Sequence, residues 1–340
     1  NIYFDNVVLM VNPENVVFDV TCRRGAQQNE RWTLTPTEKD VGVHPLRIEV
    51  LDQTNTVVAR ADTTLRISPV AAGAGKPIRG LVVGDSLTNA SAYTQQLVDL
   101  CAQESNPLLT LIGTRGSGER NRHEGYGGWT AERFATTYTG IARGGEYKKC
   151  GSPFIYKDGD EEPKLDFPRF CREYNEGKPL DFVTILLGCN DTFSSTDETI
   201  EERIDRMFTH YETLVKMIHD HNQDTLIGAL LLVPPAATQD AFGANYRCSQ
   251  TRWQYKRNQH RVVERMMAQF GGREDENLFL LPSYVNLDCV NNYPQRKATW
   301  NARTASEGSR LNNGVHPATE GYKQIGDTIY SWLKAMLAEK

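Results

Sequence analysis

What the chain lacks narrows the reading first. No apolar run in its 340 residues approaches the roughly 20 needed to cross a bilayer, so no membrane span is expected. Basic charge is not in excess: 38 Lys and Arg stand against 43 Asp and Glu, a formal net charge of -5. Phosphate backbones need a basic surface, so no nucleic-acid partner is expected. The seven cysteines (Cys22, Cys101, Cys150, Cys171, Cys189, Cys248 and Cys289) contain no CxxC pair. Zinc-type ligand spacing is therefore missing, and neither a metal nor another cofactor is expected. Isolated buried thiols are one reading of the cysteines; bridges Cys150–Cys171 or Cys248–Cys289 are the other. Internal repeats and low-complexity segments are also absent. With 39% hydrophobic and 24% charged residues the composition is that of a folded globular chain.

What is present divides in two. Up to about residue 68 the pattern is short strands: Val16–Val20 is apolar, and Leu46–Leu51 and Thr64–Ile67 alternate with period two. Turn clusters such as Asp52-Gln53-Thr54-Asn55 separate them. This predicts a small all-β sandwich over residues 1–70, followed by a linker of small residues over 71–77. From residue 78 to 340, apolar strands at Gly80–Val83, Leu108–Ile112, Phe182–Leu187, Leu226–Val233 and Leu278–Leu281 alternate with helical patterns. The clearest helix runs from about Asp197 to His219, with Ile200, Ile204, Met207, Phe208, Tyr211, Leu214, Val215 and Ile218 on one face. Others span about Arg252 to Phe270 and the stretch after Pro317. Near-continuous apolar strands between helices imply an α/β fold with a parallel sheet covered on both faces. Sites in such folds form at the carboxyl ends of strands.

Four segments at such positions carry chemistry. Gly84-Asp85-Ser86-Leu87-Thr88 follows the first strand. A serine hydroxyl there is a nucleophile if a base adjoins it, or an ordinary helix cap. His123-Glu124-Gly125-Tyr126-Gly127-Gly128-Trp129-Thr130 follows the second strand; its glycines permit close backbone approach, and Trp129 either lines a sugar pocket or packs a helix. Gly188-Cys189-Asn190-Asp191 follows the third, where Asn190 either points its amide into a site or makes a turn. Gly314-Val315-His316-Pro317 precedes the last helix and offers a histidine base.

In order and spacing these four resemble the sequence blocks of the SGNH/GDSL hydrolase superfamily, and more narrowly secreted bacterial carbohydrate esterases with an N-terminal β-sandwich. The resemblance implies a flavodoxin-like α/β/α sandwich with a five-stranded parallel sheet of order 2-1-3-4-5. It implies Ser86 as nucleophile, His316 as general base, and an oxyanion hole from the Ser86 N–H, the Gly128 N–H and the Asn190 side chain. Gly128 is preferred to Gly127 because the family's second-block glycine often precedes an aromatic or polar helix start. The activity implied is a serine esterase removing small ester groups, acetyl first, from a polysaccharide or oligosaccharide. Methyl-ester removal from uronic-acid polymers and a carbohydrate-binding pseudoenzyme are the alternatives. The chain opens in strand-like sequence and is read as a mature form, secreted or periplasmic.

One position departs from the family. Three residues before the histidine, where Asp is usual, stands Asn313. Three groups can then orient His316: the Asn313 amide oxygen, a carboxylate such as Asp240 or Asp288, or a backbone carbonyl. For the substrate, Arg247, Arg252, Trp253, Tyr255, Lys256 and Arg257 combine basic and aromatic character that suits an acidic sugar; the plainer reading is a solvated helix face. Trp129, Arg252 and Trp253 are the candidate substrate contacts.

Overall fold

The structure, a computed structural model, describes residues 1–139 and 149–339. Near the N-terminus lie two three-stranded sheets. In one, Arg31–Thr33 sits between Ile2–Tyr3 and Ala26–Gln27; in the other, Gly42–Leu51 sits between Val17–Cys22 and Val57–Ile67. Alternation along Gly42–Leu51 turns Leu46, Ile48 and Val50 inward onto Phe4, Phe18 and Trp32. Arg47, one residue out of phase, pairs with Asp62 at 2.7 Å.

This apolar cluster is distinct from the larger one that fills the rest of the chain. Polar groups tie the two regions together. The Asp5 carboxylate meets Lys256 Nζ at 2.6 Å and Arg252 Nη2 at 3.2 Å, and Asn6 Nδ2 donates to the Leu287 carbonyl at 2.9 Å. The small-residue stretch after Val70 forms turns, with Gly75 N donating to Asn106 O at 2.9 Å, and Pro77 already belongs to a strand.

The larger region is α/β, built on a mixed, mostly parallel seven-stranded sheet. Five strands pair in parallel in the spatial order Leu108–Ile112, Pro77–Gly84, Phe182–Leu186, Leu226–Leu230, Leu278–Leu281. Leu81, Val183, Ile227 and Leu278 are fully buried, as strands covered on both faces must be. Two further strands exceed the five expected. Asn121–Gly125 pairs in parallel with Val83 and Gly84, and Arg115–Ser117 joins it antiparallel. Periodicity misses the first of these because its buried residues are polar. Glu124 accepts from Thr114 N at 2.6 Å, Thr114 Oγ1 at 2.8 Å and Tyr126 Oη at 2.7 Å, so hydrogen bonds offset its burial.

Helix Ile200–His221 buries the face read from its spacing and packs Phe208 edge-on to Phe270 of helix Arg252–Phe270. The last helix, Thr319–Ala338, lies against helix Ala92–Cys101. Of the two readings of the cysteines, neither bridge forms, since Cys171, Cys248 and Cys289 remain thiols. Among the described residues no helix is long and apolar enough to cross a membrane, and no group of three or more metal-ligating side chains occurs.

Candidate active site

The central strand ends at Gly84, and the chain turns at once into the short helix Ser86–Asn89. Asp85, not Ser86, caps that helix: its Oδ1 accepts from Leu87 N at 2.9 Å. The plain reading of Ser86 as a cap is thereby removed, and its hydroxyl is left for another partner. That partner is His316, whose Nε2 lies 2.8 Å from Ser86 Oγ across 230 residues of chain. Both residues are half-buried. Burial lowers the pKa of His316 below the ordinary 6.5, which keeps the ring neutral, with a lone pair free to accept a proton, near pH 7.

Asn190 comes off the third sheet strand through Gly188, whose φ of +127° favours glycine and directs the chain sharply into the next turn. Its Nδ2 reaches Asp85 Oδ2 at 3.0 Å and the Trp129 carbonyl at 3.1 Å. One amide thus ties together the loops that carry Ser86 and Gly128. Gly128 has φ of +77°, is exposed, and faces open space where a side chain would stand. Among the described residues no acceptor takes up the Gly128 N–H or the Ser86 N–H. Asp85 is the residue whose role the sequence hid: it is 1% exposed, and burial pushes its carboxyl up to about 7. Asp191 is held the same way, pushed to about 7 by burial, while its Oδ1 accepts from Ala131 N at 3.2 Å. The only sequence signal for Asp85 is that it precedes Ser86 in the cap position.

None of the three candidate orienters touches the His316 ring. Asn313 Oδ1 accepts instead from the backbone N–H groups of Val315 at 3.1 Å and His316 at 2.9 Å, so it shapes the loop. Asp240 binds Arg310 Nη1 at 2.8 Å. Asp288 accepts from Val290 N at 3.0 Å, Asn291 N at 2.9 Å and Asn291 Nδ2 at 2.9 Å. Among the described residues no side chain or backbone carbonyl accepts from His316 Nδ1.

The candidate substrate contacts need correction. The Trp129 ring is fully buried, stacked on Tyr126 at 4.4 Å and edge-on to Phe134 at 4.9 Å, so it is core; only its carbonyl faces Asn190. Arg252 donates to Ala236 O at 3.0 Å and Asp5 Oδ2 at 3.2 Å, which makes it an anchor for the N-terminal region. Trp253 is half-buried and does not line the large cavity beside helix Gln239–Tyr246. That cavity, of about 680 Å³, is walled by helix Gln239–Tyr246 and hairpin Gln295–Thr299/Glu307–Leu311, neither of which the sequence signalled.

The model of the GDSL-like Lipase/Acylhydrolase family matches residues 81–329, a span that holds Ser86, Gly128, Asn190 and His316. No curated protein matches the chain. Among solved structures, a family 3 carbohydrate esterase of Clostridium thermocellum is 15% identical, with TM-score 0.45, covering 77% of this chain and 98% of its own. A carbohydrate esterase family 3 protein of Talaromyces cellulolyticus is 13% identical, with TM-score 0.42 and coverage of 77% and 99%. A carbohydrate acetylesterase family member of Sinorhizobium meliloti is 15% identical, with TM-score 0.42 and coverage of 76% and 99%. The chain belongs to the GDSL-like lipase/acylhydrolase family, the carboxylic ester hydrolases.

Proposed function

We propose that the protein is a serine esterase that removes small acyl groups, acetyl foremost, from a polysaccharide or oligosaccharide. The observation that carries the reading is the 2.8 Å contact between Ser86 Oγ and His316 Nε2 at the carboxyl end of the central strand. Ser86 Oγ attacks the ester carbonyl carbon while His316 Nε2 takes its proton. The carbonyl oxygen becomes an oxyanion facing the Ser86 and Gly128 N–H groups. The Asn190 amide adds a third donor by turning one N–H from the Trp129 carbonyl. One such donor is typically worth about 100- to 1000-fold in turnover. Collapse of the intermediate breaks the C–O bond, and His316 returns its proton to the departing sugar oxygen. Water, deprotonated by the same histidine, then attacks the acyl-Ser86 ester and releases the acid.

A hydroxyl-rich alcohol suits the cavity whose helix wall packs on the His316 loop better than a long acyl chain does. Gln239, Gln250, Thr251 and three arginines line it, with Leu311 the one large apolar side chain among its walls. We read residues 1–70 as a prop for the esterase, because their cluster contains a single Trp, Trp32, and buries it.

A serine-reactive fluorophosphonate probe tests the chemistry. It labels the intact protein, and labelling disappears in Ser86→Ala. Absence of labelling in the intact, folded protein sinks the esterase reading in favour of a carbohydrate-binding pseudoenzyme. Acetate and methanol release across a panel of esterified polysaccharides then decides between deacetylation and demethylation.

A further inference from the structure

The arginines of helix Arg252–Phe270, and Arg273 just beyond it, are matched to acids. Arg257 holds Asp197 at 2.7 Å, Arg261 and Arg265 each hold Glu201 at 2.5 Å, and Arg273 holds Glu212 at 2.8 Å. The cavity of about 680 Å³ beside helix Gln239–Tyr246 breaks this habit. Arg247 comes from the end of its helix wall, and Arg296 and Arg310 from its hairpin wall. Arg310 is spoken for by Asp240 at 2.8 Å and lies over the Trp300 ring at 5.4 Å. Arg247 and Arg296 are exposed and have no acidic partner among the described residues. With Asp240 the only acid on the walls, the cavity carries a net positive charge in a chain whose formal net charge is -5.

Two details make this more than a stray charge. Arg247 follows helix Gln239–Tyr246 with φ of 54°, the left-handed region in which glycine is the usual occupant. A long cationic side chain is held there against that preference, a pattern found at ligand sites. The cavity also shares its walls with the His316 loop. Leu311 lines it five residues before His316, Gly314 N donates to Asn245 Oδ1 of the helix wall at 3.2 Å, and Val315 packs with Phe242 of the same helix.

We propose that this cavity is a subsite for a uronate, an acidic sugar in the same glycan whose ester is presented to Ser86. Arg247 and Arg296 receive its carboxylate, for which planar guanidinium forks are suited, while Asp240 is neutralised by Arg310. The proposal rests on the esterase reading for its role, yet binding itself does not require hydrolysis.

The test uses full-length Ser86→Ala protein and calorimetric titration with trigalacturonate and with neutral xylotriose. Trigalacturonate binds more tightly, and its affinity falls as salt is raised. Adding Arg247→Gln and Arg296→Gln weakens trigalacturonate about tenfold or more and leaves xylotriose unchanged, because only charge-assisted hydrogen bonds are lost. Both side chains are exposed, so the melting temperature stays the same. Equal binding of the two sugars, or unaltered trigalacturonate binding by the arginine variant, overturns the subsite. Failure of fluorophosphonate labelling overturns the esterase reading separately, since the titrations are done without Ser86.

Discussion

Ser86 Oγ and Ser91 Oγ lie five residues apart in the chain, and each stands 2.8 Å from a histidine Nε2, that of His316 and of His123 respectively. The second nitrogen of each ring separates them. Gly125 N donates to His123 Nδ1 at 3.1 Å, so that nitrogen carries a lone pair and the proton of the neutral ring sits on Nε2. His123 therefore donates to Ser91 and has no lone pair with which to take its proton. His123 is also 1% exposed, and burial, with Arg115 and Arg122 adding to it, lowers its pKa to about 4. Among the described residues no such donor occupies Nδ1 of His316. The opposite tautomer is open, with Nε2 as acceptor of the Ser86 hydroxyl proton. A serine–histidine distance is thus not a dyad by itself; the partner of the far nitrogen decides which way the proton can move.

Removing each serine in turn should separate the two pairs most strongly. Ser86→Ala is expected to lower kcat by at least about 10⁴-fold, the scale seen when a serine nucleophile is deleted. Ser91→Ala is expected to stay within about threefold, with any change appearing in melting temperature. Kinetics on p-nitrophenyl acetate checks both. Comparable losses in the two variants would falsify the tautomer argument.

The next test addresses the missing acceptor on His316. The Asn313 amide oxygen is committed to two backbone N–H groups, and its Nδ2 is a donor that cannot accept from Nδ1–H. Asn313→Asp keeps one oxygen for the backbone and offers the other, charged, to the ring. The expected result is a rise in kcat/KM of about tenfold to a hundredfold, part of the roughly 10⁴-fold that an Asp-to-Asn change costs in a serine protease. The acid limb of the pH profile moves as well. The base must be unprotonated, so activity rises with pH through the pKa of His316, which burial places below 6.5. A carboxylate at 313 favours the imidazolium and shifts that limb upward. A profile and a rate both unchanged would show that water already satisfies Nδ1.

The comparison also explains what could be read in advance. The five parallel strands and long helices follow from apolar period alone, because those elements are held by burial: Leu81 and Ile227 are fully covered. Ser86, Asn190 and His316 stand out as candidates in the sequence because each follows a strand or precedes a helix, and because their order resembles a family pattern; the structure brings Ser86 and His316 to 2.8 Å. Elements held by polar contacts were not legible. Asn121–Gly125 hides a buried histidine and glutamate behind hydrogen bonds, and hairpin Gln295–Thr299/Glu307–Leu311 is largely exposed with no apolar alternation. Trp129, Arg252, Asp240 and Asp288 are committed to packing or to other polar partners, which residue type alone does not signal. Residue type suggests chemistry, but the partner that uses it up is fixed only by three-dimensional packing.

The smallest effect concerns stability. His123 has its pKa lowered from 6.5 to about 4, so between those values the unfolded chain binds more protons at this residue than the folded one. Its contribution to stability is therefore present above pH 6.5 and is lost as pH falls toward 4. Glu124 beside it, and Asp85 and Asp191 at the active site, are pushed up to about 7 and work the other way. They favour the fold at acid pH and cost it stability as pH rises through 7. Of these four groups the three carboxyls outweigh the one histidine between pH 4 and 6.5, so together they favour the fold as pH falls, less steeply than the carboxyls alone would. His123→Gln deletes only the first contribution, so its urea midpoint should hold up better than that of the intact protein as pH falls from 6.5 to 4. Parallel curves for the two proteins would mean that His123 already titrates as it does in the unfolded chain. Its ring would then be open to charging, and the contrast with His316 would rest on the Gly125 hydrogen bond alone.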